Sequence, residues 1–416
     1  MNKPNKAFCI LPWVHVQVRQ NAELYPCCRI SHGFSYGSIK EKTLDQVWNS
    51  EAAKKVRREM LAGIPQSFCT DCVKLEDFGS QSYRDVVNHE FKNEFSRITE
   101  TDETGFLKNN TIPYLDLRFS NVCNLKCRTC NSENSTTWID DEKKLNPAFS
   151  STLASSHILK LKNINPEIIN QLYEKLPAVS SIYFAGGEPL LDENHYLLLE
   201  KLIELGRTDV ILSYNTNLSV LQFKKWNAIK LWQQFEHVQV SASIDAIGPA
   251  LELIRKGADW NMIQKNLKLI KLFIPNSLIV IYPTISVLNC FNITTLIDYF
   301  LKHNYIQITR QIKFNILNEP EHLNVSLLDE NKINRLEEHY RAFLQTIKAD
   351  CSAEVFEYLT SELEVIVKFA RSKNLQSFRP KFATETLNLD TIRNENTSVI
   401  LPELAFILDP SETDSF

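Results

Sequence analysis

The chain has 416 residues, a length that supports two or three domains and a sizeable buried core. Hydrophobic residues make up 44% and charged residues 23%, and no apolar run approaches the ~18 residues of a membrane span, which excludes disorder and membrane insertion as the main theme. The net charge of −4 is spread without long blocks, which argues against broad nucleic-acid binding. Two residue types are unevenly placed. Glycine occurs only 10 times, yet Gly186 and Gly187 are adjacent. Of the 10 cysteines, Cys9, Cys27, Cys28, Cys69, Cys72, Cys123, Cys127 and Cys130 precede residue 131, leaving Cys290 and Cys351 for the remainder. Met1 to Ala7 is short and polar with no export signal, so a cytoplasmic location is expected. In that reducing compartment clustered cysteines are metal ligands or catalytic groups more often than disulfides.

Residues 1–95 read as a small cysteine-rich unit. A short alternating stretch runs from Val14 to Val18, and Asn21-Ala22 sits where a hairpin returns the chain toward Cys27. A helix capped by Thr43 follows through Leu44, Val47, Trp48, Ala52, Val56 and Met60, ending at Gly63 and Pro65. Residues 96–110 form a linker whose polar run 98–110 lacks periodicity. Over 111–328 candidate strands (113–119, 180–185, 209–214, 237–243, 278–286, 309–316) alternate with helical patterns (165–176, 193–205, 221–235, 259–274, 293–303). This predicts an α/β fold, a parallel sheet closed or partly closed into a TIM-like (β/α)6 barrel, with its site at the C-terminal strand ends. Residues 329–416 read as a helical extension over 329–349 and 352–373, then irregular segments, the apolar VILPELAFIL and an acidic, serine-rich tail DPSETDSF.

Cys123, Cys127 and Cys130 form CNLKCRTC, a CxxxCxxC loop directly after the first core strand. Three thiolates on one compact loop can hold three irons of a [4Fe–4S] cluster and leave the fourth open to a small molecule. A zinc knuckle is the alternative and needs a fourth Cys or His, none of which lies between Asn131 and His157. One β/α unit later, AGGEPLL over 185–191 places the glycine pair at a strand's C-terminal end, where a backbone without Cβ can approach a ligand with its amides exposed. Cys9, Cys27-Cys28 and Cys69-x-x-Cys72 supply four ligand positions and a spare, enough for a fully ligated iron–sulfur cluster or a four-cysteine zinc site. Cys290 and Cys351 are most simply core residues, and His15 and His32 structural ones.

Residues 111–328 resemble a radical S-adenosylmethionine (SAM) enzyme: CNLKCRTC is similar to that family's cluster loop, and AGGEP to its segment for the SAM amino group. The resemblance implies reductive cleavage of SAM to a 5′-deoxyadenosyl radical that abstracts hydrogen from a substrate. It implies SAM contacts at Gly186, Gly187, Glu188, Asn217, Ser243, Asp245 and Arg255, with Thr284 and Ser286 near the adenine. Thr129 departs from the aromatic that many relatives carry there. LPW, YPCC, YGSI, VWNSEAAKKVRREMLAG and CTDC resemble the Twitch or SPASM auxiliary-cluster domain, placed N-terminally, and LDTIRNENTSVILPEL at 389–404 resembles the tail of proteins so arranged. Asn21-Ala22 and Gly37-Ser38 depart from that pattern. By this resemblance Cys9, Cys27, Cys69 and Cys72 hold an auxiliary cluster, with Cys28 the spare. The implied substrate is a peptide, a protein side chain or a carbohydrate-like metabolite, and the implied electron donor a flavodoxin or ferredoxin. A non-catalytic zinc-stabilised binding protein is the competing expectation.

Overall fold

The computed structural model describes residues 5–30, 33–77, 79, 81–146, 148 and 158–408, so His32 and the acidic tail fall outside the described residues. Two compact units are formed: Met1–Val122, Ile158–Asn215 and Gln222–Val238 make the first, and Cys123–His157, Thr216–Leu221 and Gln239–Phe416 the second.

In the first unit six strands lie in the order Gly37–Ser38, Glu23–Tyr25, His15–Val18, Tyr114–Leu117, Ser181–Phe184 and Ile211–Thr216. The hairpin at Asn21-Ala22 forms as expected, with Val18 opposite Leu24 and Ala22 in the left-handed region (φ 65). Its first strand also runs parallel to Tyr114–Leu117, His15 facing Tyr114, so the cysteine-rich segment extends the sheet of the strands that follow. The next two pairings are parallel as well, Leu115 against Ile182 and Ile182 against Leu212. Alternate side chains Leu115, Leu117, Ile182, Phe184, Leu212 and Tyr214 are buried, the period-2 pattern that the sequence shows. Helix Glu193–Glu204 starts on the Asp192 side chain, which accepts from Asn194 N, and ends before Gly206 at φ 69, the expected C′ glycine.

In the second unit Val238–Ala242 runs parallel to Leu278–Ile281, Gln239 facing Leu278, and Thr284–Ile285 runs parallel to Asn315–Ile316. Helices Trp260–Phe273, Ile293–Lys302, Glu330–Ile347 and Ala353–Arg371 stand where the periodicity places them. Asp259, Asp329 and Ser352 cap the first, third and fourth with their side chains. The protein is therefore an α/β fold whose sheet is mostly parallel, with helical elements at its C-terminal end.

Four expected elements differ. The helix after Thr43 is two helices, Leu44–Trp48 and Glu51–Leu61, because Ser50 turns its hydroxyl to Ala53 N and starts a second one. Residues 221–235 hold a hairpin, Gln222–Phe223 against Trp226–Asn227 with Lys224 at φ 51, before the short helix Ala228–Trp232. The last candidate strand shrinks to Asn315–Ile316 behind the turn Thr309–Gln311. Residues 379–393, expected to be irregular, form the helix Arg379–Arg393 with a proline in its first turn.

Candidate cluster and cofactor sites

The CxxxCxxC loop folds inside the second unit. Lys126–Cys127 pairs antiparallel with Arg255–Lys256, Cys127 opposite Arg255, and Arg128 N donates to Ile254 O at 2.7 Å. Gly257 (φ 97) permits the approach, since a Cβ there would lie 3.0 Å from Asn124 O. The Ser135 and Thr137 hydroxyls donate to Leu125 O at 2.6 and 2.7 Å, and the Trp138 indole N–H donates to Cys127 O at 2.9 Å. The loop is thus held largely through its backbone.

Those thiols face positive and amide groups. Arg255 Nη1 lies 3.8 Å from Cys127 Sγ, and Asn217 Nδ2 lies 3.8 Å from Cys123 Sγ and 3.0 Å from Asn124 Oδ1. Burial pushes the Cys130 thiol up to about 12, its neighbours Cys127 and Cys123 adding to the effect while Arg255 opposes it. Burial also raises Cys127, again against Arg255. Asp245 is fully buried, and its Oδ1 accepts from Thr284 N at 2.8 Å and Arg255 Nη2 at 2.9 Å. Arg255 Nε and Asp245 Oδ2 approach to 2.8 Å without the alignment of a hydrogen bond. Burial works against the Arg255 charge, but Asp245 and the Cys127 thiolate outweigh it and hold the guanidinium protonated. Asn289, absent from the sequence expectations, braces this group: its amide donates to Asp245 O and Thr284 O, each at 2.9 Å. Ser243 is half-buried, with its N–H on Thr216 O at 2.9 Å.

Among the described residues no three His, Cys, Asp or Glu side chains converge as ligands of a single ion. A four-iron cluster gives each thiolate its own iron and takes three cysteines from one loop, the residue types that Cys123, Cys127 and Cys130 supply. Among the described residues around that loop, Lys126, Arg128, Arg255, Lys256 and Arg393 are ion-paired with Asp141, Asp245, Asp390 and Glu395.

In the first unit packing also constrains the glycine pair. A Cβ on Gly187 would sit 2.3 Å from Val122 O, and one on Gly186 (φ 115) 2.9 Å from Ser120 O. Gly187 N donates to Ser120 O at 3.0 Å and Glu188 N to Val122 O at 2.8 Å, so these amides grip the segment preceding Cys123 instead of standing open. Glu188 is buried and its carboxylate accepts from Leu190 N, starting the turn Pro189–Leu191.

The N-terminal cysteines also gather in the first unit. Cys9 is buried and interacts electrostatically with Cys69 and Cys72, while Cys27 does so with Cys9 and Cys28. Burial raises Cys9, pushes Cys69 up to about 11 and raises Cys72, and Arg84 opposes all three. The Cys27 and Cys28 thiols hydrogen-bond to each other, which draws Cys28 down and holds Cys27 up. Asn88, not foreseen from sequence, brackets Cys9: its Oδ1 accepts from Ile10 N at 2.8 Å and its Nδ2 donates to Phe8 O at 3.1 Å. His15 Nδ1 donates to Pro26 O (3.1 Å) and is packed in the core, as a structural histidine would be.

Residues 9–73 match the family model of an iron–sulfur cluster-binding domain, SPASM, and residues 117–287 that of the radical SAM superfamily. Among solved structures the chain is similar to native anSMEcpe with bound AdoMet, at 20% identity and TM-score 0.36, over 57% of this chain and 59% of that one. It is also similar to Streptococcus suis SuiB, at 16% identity and TM-score 0.39, over 73% of this chain and 64% of that one. SuiB bound to precursor peptide SuiA aligns at 15% identity and TM-score 0.37, over 73% and 62%. The aligned part spans about three-fifths of the length of these structures. No curated protein matches.

Proposed function

Because residues 117–287 match the radical SAM superfamily and residues 9–73 an iron–sulfur cluster-binding SPASM domain, we propose that Cys123, Cys127 and Cys130 hold the cluster at which the protein cleaves SAM. Its cofactors are a SAM-binding [4Fe–4S] cluster, an auxiliary iron–sulfur cluster and SAM. When bound, the reduced cluster supplies the electron that splits SAM into methionine and a 5′-deoxyadenosyl radical able to take hydrogen from a substrate. The carrying observation is the loop itself: three thiols on a backbone fixed by Arg255–Lys256, with the Arg255 guanidinium 3.8 Å from Cys127 Sγ.

The chain's own groups have distinct tasks. Arg255, anchored by Asp245 and kept charged, offsets thiolate charge and presents a cation to a carboxylate such as that of SAM. Asn217 and Ser243 add polar contacts, and the Gly186-Gly187-Glu188 turn fixes the segment leading into Cys123. Cys9, Cys27, Cys69 and Cys72 hold the auxiliary cluster, fully ligated and therefore suited to electron relay. The substrate is a peptide or protein side chain, or a carbohydrate-like metabolite, with a flavodoxin or ferredoxin as donor in the cytoplasm. No helix among the described residues is long and apolar enough to cross a membrane.

Cys127→Ala tests the assignment by removing one of three protein ligands. Liquid chromatography of anaerobic assays is expected to show 5′-deoxyadenosine reduced at least 100-fold; formation at the wild-type rate would refute the loop as the cleavage site.

A further inference from the structure

Arg128 lies within the cluster loop, and its side chain is 2% exposed. Its Nη2 donates to Asp390 Oδ1 and, at 2.7 Å, to Glu395 Oε2, partners 262 and 267 residues away in sequence. Glu395 Oε1 also meets Lys256 Nζ at 2.9 Å, on the strand that pairs with Lys126–Cys127. Asp390 is itself held, since Thr397 N and Thr397 Oγ1 each donate to it at 2.8 Å. Asn394, left-handed at φ 52, turns the chain so that Asp390 and Glu395 reach one guanidinium. From the same helix the buried Arg393 donates to Asp141 Oδ2 at 2.8 Å and lies 4.7 Å over the Trp138 ring, whose indole holds Cys127 O.

Buried ion pairs add little net stability, because desolvating the charges offsets their attraction, whereas a planar guanidinium shared by two carboxylates fixes geometry. Nε and Nη1 of Arg128 have no hydrogen-bond partner among the described residues, so this charge is oriented but only partly satisfied. We propose that Asp390–Thr397 is a latch on the cluster loop, in which Asp390 and Glu395 are positioning residues that act through Arg128 and Lys256. They hold the Cys127–Cys130 span in place and set the electrostatic environment of the group it carries. The inference rests on the reading of 123–130 as the cluster loop.

The test compares reconstituted full-length wild type with Asp390→Asn, Glu395→Gln, Arg128→Gln and Arg128→Lys. Hydrogen exchange of amides 123–131 is expected to be at least tenfold faster in the two carboxylate variants, with residues 9–28 unchanged as the folding control. Redox titration of the SAM-perturbed electron paramagnetic resonance signal adds a sign. Removing a carboxylate shifts the midpoint positive, removing the guanidinium charge shifts it negative, and Arg128→Lys stays near wild type. Unchanged exchange over 123–131, or midpoints that fail to move in opposite directions, overturns the latch. A wild type with no iron on the loop overturns the functional reading instead, while the exchange comparison still judges the latch.

Discussion

Single residues carry the tightest constraints. Gly187 has no room for a methyl group, since the nearest atom to its Cβ would be a backbone oxygen 2.3 Å away. Gly187→Ala is expected to destabilise the protein by about 3 kcal/mol, because backbone must shift to admit it. Gly206→Ala, with open space around it and only the left-handed backbone to resist, is expected to cost about 1 kcal/mol. Denaturant titration of both separates the two causes, and equal midpoints would contradict the packing argument. The importance of the glycine pair was legible in the sequence, but this packing constraint was not. Periodicity marks the end of a strand; it does not reveal that the amides are taken by Ser120 and Val122.

At the scale of elements, local patterns predict what local physics decides. The strands Tyr114–Leu117, Ser181–Phe184 and Val238–Ala242 were legible because alternation and β-branched or aromatic residues match half-buried backbone. The hairpin at 222–227 falls inside a helix-like pattern because Trp226, Ile229 and Trp232 are buried at the three-residue spacing a helix also allows. The helix Arg379–Arg393 was missed for the opposite reason. It buries Thr386, Asp390 and Arg393 along with Phe382 and Leu389, so its inward face has no apolar stripe. Those polar residues have partners such as Asp141 and Arg128, at sequence separations no window spans. Asn88 is a comparable case, a helical amide closing the backbone on both sides of Cys9. Asn88→Ala leaves a buried N–H and a buried C=O unpaired and is expected to cost about 2 kcal/mol, read as a lower denaturation midpoint. An unchanged midpoint would remove Asn88 from the Cys9 support.

For the whole molecule, the buried histidines make stability depend on pH. Burial lowers His15 to about 4 and His195 to about 3, against 6.5 when exposed. At these two sites the unfolded chain binds more protons than the folded one once the pH falls below about 6.5, so the stability they contribute drops progressively toward those lower values. Thermal midpoints are expected to fall steadily from pH 6.5 to pH 4, and less steeply in His195→Gln, which retains a polar group beside Tyr214. An identical slope in that variant would mean that His195 is not buried neutral. If the cysteines serve two iron–sulfur sites, three on the loop and four at the N-terminal end, iron and zinc analysis of the anaerobically reconstituted full chain is expected to find about eight irons per chain, falling to about four when Cys123, Cys127 and Cys130 are all replaced by alanine. Zinc with no iron would refute both cluster assignments.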